Sequence, residues 1–124
     1  MDQSRERYDE AAPLVLEALE TGWFPEHHGK YFDQPRAPLR PGPLSHDWRW
    51  NRFTQVAMSP DSALEAAKLG AQMMAFNYKQ PAAQKQEYED YRAAFRQHHG
   101  REARPLLLTE MMVCDADAGR AREM

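Results

Sequence analysis

Residues 53–114 alternate between short apolar runs and helical stretches, and this alternation constrains the fold more than any other feature. Residues 53–58 (FTQVAM), 71–76 (AQMMAF) and 105–114 (PLLLTEMMVC) read as strands. After the first, Ser59 stands where a hydroxyl caps unpaired helix N–H groups, Pro60 suits the first helical position, and Gly70 stops the helix. After the second, Pro81 opens a longer helix in which Gln84, Tyr88, Tyr91, Phe95 and His98 share a face, and Gly100 closes it. Strands separated by single helices imply parallel pairing through right-handed crossovers. Near-continuous apolar runs fit strands covered on both faces. The expected class is α/β, with residues 54–124 forming βαβαβ and, from Asp115 and Asp117 onward, the start of a last helix.

The preceding residues differ. Residues 1–22 predict a helix, with Tyr8, Ala12, Val15 and Leu19 on one face and Gly22 at its end. Pro13 either kinks it or makes the regular part begin nearby. Residues 23–53 hold five of the nine prolines, Pro25, Pro35, Pro38, Pro41 and Pro43. Proline lacks a backbone donor, so this stretch is neither a long helix nor a central strand. It reads as a long excursion with a short hairpin around residues 28–32 (HGKYF), packed by Trp23, Phe24, Tyr31, Phe32, Trp48 and Trp50.

The net charge of −3, with basic residues scattered among acids, offers no surface for a phosphate backbone, so a nucleic-acid partner is not expected. A single cysteine, Cys114, excludes a disulfide scaffold and points to a reducing cytoplasm. The N-terminus MDQSRERYDE has no apolar signal core, and no run approaches the roughly 20 apolar residues of a membrane span.

Several residues invite chemistry. His27 and His28 are adjacent, so on a strand they point to opposite faces and cannot readily share a metal, and no cysteine or carboxylate is spaced to complete a site. His98 and His99 end a helix, where a cation suits the dipole. Trp48-Arg49-Trp50-Asn51-Arg52 could stack on bases, but packing or a pocket wall is the simpler role. Met73, Met74, Met111 and Met112 read as core, and Cys114, after a buried strand, as inert. Glu110 either faces an interior with a partner or marks the polar face of an exposed strand.

Three segments resemble the luciferase-like flavin-dependent monooxygenases, in this order and spacing: residues 23–43 (WFPEHHGKYFDQPRAPLRPGP), a hairpin with a proline-rich approach to the next strand; residues 56–70 (VAMSPDSALEAAKLG), a strand, serine turn and helix; and residues 88–117, a tyrosine-rich helix, His-Gly stop, strand and VCDAD. The resemblance implies the C-terminal half of a (β/α)8 TIM barrel, a fold of about 250 residues when complete, with about three parallel strands and the excursion present here. It implies reduced FMN supplied by a reductase, a small organic substrate oxidised by molecular oxygen, and a second chain or homo-oligomer completing the barrel. The family's catalytic histidine has no matching position among His27, His28, His46, His98 and His99. Its turn at the FMN phosphate corresponds to Met58, Ser59 and Ser62, the expected cofactor-binding residues. Helix N-termini attract anions, yet Ser59 also suits a plain cap, Pro60 removes a donor, Asp61 adds negative charge, and Met58 stands where the family has an acid. The alternative expectation is a non-catalytic half-barrel remnant or subunit that binds a partner chain.

Overall fold

A computed structural model describes residues 2–45, 47–110 and 112–123. His46 and Met111 lie outside the described residues. The chain forms two compact units, Met1–Trp48 and Arg49–Met124.

In the first unit, α1 (Asp2–Thr21) runs through Pro13 and ends at Gly22, whose φ of 78° is the left-handed conformation glycine adopts without strain. Its buried residues are Leu16 and Ala18, whereas Tyr8 and Val15 are exposed, so the face expected from the sequence is rotated. Tyr8 and Val15 fit a period of 3.6, but period alone does not choose between two apolar stripes. The excursion then folds back on itself. β1 (Trp23–Phe24) pairs antiparallel with β4 (Ala37–Pro38), and β2 (His27–His28) with β3 (Asp33–Gln34). Gly29 N–H donates to Phe32 O at 2.9 Å and closes the expected hairpin turn.

Two α1 carboxylates hold that turn. Glu10 accepts from Phe32 N–H at 2.9 Å, Tyr31 N–H at 3.1 Å and His27 Nε2 at 3.0 Å. Glu6 pairs with Lys30 at 2.5 Å and accepts from the Tyr31 hydroxyl. Burial alone would raise the Glu10 carboxyl, but these bonds overcome it and hold it below the ordinary carboxylate value.

A five-residue helix, α2 (Trp48–Arg52), leads into the second unit. It was not expected inside the excursion, although the prolines that argued against helix stop at Pro43. The alternation then follows: β5 (Thr54–Val56), α3 (Pro60–Leu69), β6 (Gln72–Phe76), α4 (Pro81–His99), β7 (Leu107–Thr109) and α5 (Ala118–Glu123). The sheet order is β5-β6-β7, and both pairs are parallel, with Val56 beside Met74 and Met74 beside Leu107. The α/β class and the three parallel strands are therefore present, an arrangement compatible with part of a barrel. Both outer strands are shorter than the apolar runs. Strand length is set by the partner, and among the described residues of the run from 105 to 114 it is Leu107–Thr109 that pair with β6.

Gly70 and Gly100 end α3 and α4 in the left-handed conformation, as expected. The core of this unit is built on Ala57, Ala63, Ala66, Ala67, Ala71 and Ala75, with Met73, Tyr91 and Phe95 supplying bulk. Alanine lets α3 approach the sheet and α4 closely and loses no rotamer freedom on burial. Tyr91, fully buried, donates its hydroxyl to Ala71 O at 2.7 Å, and burial pushes that phenol up to about 12. On α4 the buried stripe is Gln84, Glu87, Tyr91 and Phe95. It continues to half-buried His99, which meets Ala67 O at 2.8 Å, while His98 is exposed.

Met73 and Ala75 belong to the helix-covered core, so alternation turns Gln72, Met74 and Phe76 to the opposite face. On that face Val56, Phe76 and Leu107 are exposed, which departs from the expectation of strands covered on both faces. Met73 is core and Met74 half-buried, as expected in part, but Met112 is 80% exposed and outside any strand. Cys114 is likewise exposed rather than next to a buried strand.

Candidate functional site

The exits of the three parallel strands gather the residues that can meet a ligand. After β5, Ala57 N–H still bonds Met74 O at 2.8 Å, which fixes the chain up to Met58. Ser59 then turns extended, with φ −140° and ψ 160°, and caps α3. Its Oγ accepts from Ser62 N–H at 3.3 Å, and Ser62 Oγ accepts from Ser59 N–H at 2.9 Å and Met58 N–H at 3.0 Å. The Ser62 hydroxyl donates to Ser59 O at 2.9 Å, and the two hydroxyl oxygens lie 3.0 Å apart. The result is a reciprocal capping box. Pro60 brings no N–H and the Ser62 N–H is used, so the Asp61 N–H is the early helical donor left outside the serine cap.

The structure thus brings Met58, Ser59 and Ser62 together in one turn. Met58 is 44% exposed and presents a thioether where a carboxylate would repel an anion. Ser59 is exposed although its Oγ also serves the cap, while Ser62 is half-buried with its hydroxyl bonded to Met58 N–H and Ser59 O. Asp61 adds an exposed negative charge to the same first turn.

Three residues that sequence reasoning passed over knit this rim. Tyr78 donates its hydroxyl to Met58 O at 3.0 Å, joining the β5 and β6 exits. Asn77 N–H donates to Thr109 O at 3.0 Å and its side chain to Glu110 Oε1 at 2.7 Å, joining the β6 and β7 exits. Lys79 pairs with buried Glu87 at 2.5 Å and pins the loop to α4. The available signal was the polar stretch Asn77-Tyr78-Lys79 between an apolar strand and Pro81. Glu110 is exposed and lies past the end of β7, so neither an interior position nor a strand face describes it.

The other candidates have structural partners. His27 faces Glu10, whereas His28 lies between Glu26 and Asp33 at 3.1 Å each, as adjacent strand positions require. Hydrogen bonding to Glu26 and the charge of Asp33 raise the His28 imidazole. Among the described residues no group of three or more His, Cys, Asp or Glu is placed to hold a metal. Trp50 packs edge-on against His99 at 5.5 Å and Phe95 at 6.4 Å, with the Arg101 guanidinium 4.5 Å from its ring centre, so its faces are taken by packing. Among the described residues no helix is long and apolar enough to cross a membrane.

No curated relative matches the chain. The family model of the luciferase-like monooxygenases matches residues 1–124, the full length given, and the chain belongs to that family.

Proposed function

We propose that this chain is the C-terminal portion of an FMN-dependent monooxygenase barrel that oxidises a small organic substrate with molecular oxygen. The observation that carries this reading is the serine turn after β5, set at a parallel-strand exit in a chain of this family. Ligands of parallel α/β folds gather at such exits. The Ser59 hydroxyl and the Asp61 N–H fit a phosphate oxygen, Ser62 holds the turn, and Met58 leaves room for the anion's charge. Asp61 opposes the phosphate through its carboxylate, which favours contact at the Ser59 side of the turn.

Reduced flavin, supplied by a reductase in the cytoplasm, provides the electrons with which oxygen is activated. The chain's own residues bind the phosphate, fix the turn through Tyr78 and line the exposed sheet face with Val56, Met74, Phe76 and Leu107. Apolar side chains there exclude water once the remaining barrel strands, from a further segment or a second chain, stand beside them.

Titration with FMN and riboflavin, followed by flavin fluorescence, tests the reading. FMN binds more tightly than riboflavin, and Ser59→Ala removes that difference while the helix loses about 1 kcal/mol of capping. Equal affinity for the two flavins, or none for either, refutes it. The exposed Val56, Phe76 and Leu107 favour a second reading, a non-catalytic subunit that docks a partner chain through its open sheet. Stable self-association without any flavin affinity would select that reading.

A further inference from the structure

A groove lies between α3 and α4 and borders the serine turn at Pro60 and the strand-exit rim at Lys79. It encloses about 450 Å³ and is lined by Pro60 and Leu64 from α3, Lys79 from the preceding loop, and Ala83, Gln86, Glu87 and Asp90 from α4. The spacings 60, 64 and 83, 86, 87, 90 are those of helix faces turned toward each other. Pro60, Leu64 and Ala83 make apolar walls, and Leu64 is 44% exposed.

The polar end carries an unfilled demand. Glu87 is only 7% exposed; its Oε2 pairs with Lys79 Nζ at 2.5 Å, but its Oε1 is buried and has no hydrogen-bond partner. A buried carboxylate oxygen left in this state costs free energy unless a donor reaches it. Asp90 stands three residues, about one helical turn, further along the same face and already accepts from Gln86 at 2.9 Å. Two carboxylates against one ammonium leave the lining with an excess of negative charge.

We propose that this groove binds a small primary alkylammonium ion. The Glu87 carboxylate turns to present Oε1 to the ammonium group, which also faces Asp90, and the alkyl chain lies on Pro60, Leu64 and Ala83. An anion is repelled by the net charge of the lining. A neutral alcohol satisfies one hydrogen bond but leaves that excess charge uncompensated.

The experiment is a nitrogen-15 NMR titration of the full chain with n-pentylammonium chloride, and in parallel with n-pentanol. The expected result is saturable shifts confined to residues 60–64 and 79–90, with n-pentanol at least about tenfold weaker. Glu87→Gln weakens n-pentylammonium binding about tenfold or more. Leu64→Lys, at an exposed position that leaves the core intact, fills the groove with its own alkylammonium and abolishes binding. Equal binding of the alcohol, full binding by the Leu64→Lys protein, or the absence of saturable shifts in the native chain overturns the proposal.

Discussion

Tyr91→Phe isolates one buried hydrogen bond. The hydroxyl lies 2.7 Å from Ala71 O in a core where Tyr91 is fully buried, and Ala71 leads into β6. Removing the hydroxyl leaves a buried carbonyl without that donor and a small void in its place. The cost is about 1–2 kcal/mol. In a unit the size of residues 49–124 each kcal/mol shifts Tm by about 4–8 °C. Urea unfolding followed by far-ultraviolet circular dichroism should show a lower midpoint with an unchanged m. A second signature lies in its pH dependence. The folded phenol, at about 12, holds its proton where the unfolded chain, near 10, releases it. The native protein's stability from this group is therefore full below pH 10 and declines as pH rises from 10 towards 12. Phenylalanine does not titrate, so the deficit of the variant must narrow between pH 8 and 11. A variant within about 0.5 kcal/mol of the native protein at pH 8, the range of an exposed substitution, refutes the reasoning. So does a deficit that widens with alkali.

Gly29→Ala places a methyl group on the Glu10 carboxylate and His27 Nε2, with Glu10 Cδ at 2.6 Å, so Glu10 must leave the hairpin turn. Amide exchange at Tyr31 and Phe32 should accelerate about tenfold or more, and unchanged protection would show that the carboxylate does not hold the turn. The Glu10 carboxyl is depressed in the folded state, so its contribution is present above the ordinary carboxylate value and lost as pH falls through the folded one. NMR shifts of the Tyr31 and Phe32 amides should report this acid transition in the native chain and lose it in Glu10→Gln. Gly70→Ala forces a side chain into φ 78° with its methyl 3.3 Å from the Trp50 ring and 3.4 Å from His99, costing about 1–2 kcal/mol by urea unfolding.

The legible parts of this fold are those fixed by local chemistry. Ser59, Pro60, Gly70 and Gly100 marked helix ends because capping and left-handed glycine depend on a few consecutive residues. The turn holding Met58, Ser59 and Ser62 was legible for the same reason. What depended on distant partners was not. The run from 105 to 114 is rich in apolar residues, yet among its described residues only Leu107–Thr109 have a strand beside them. Nothing local in the sequence singles out Glu87, which is buried because the loop after β6 brings Lys79 against it. His99 rather than His98 joined the buried stripe, because the four-residue step from Tyr91 to Phe95 continues to 99. The rim residue Tyr78 became visible only when parallel pairing set two loops side by side.

The alanine interface beneath α3 also bears on how this protein can change. A methyl group has no alternative rotamer with which to absorb an intrusion, so enlarging Ala63, Ala66 or Ala67 must translate the whole helix. The serine turn is the tip of that lever, rigidly continuous with it through the reciprocal cap. Conversion of one such alanine to leucine should therefore register at Met58–Ser62 as a displaced turn, so the position of the proposed flavin contact becomes adjustable from beneath the helix.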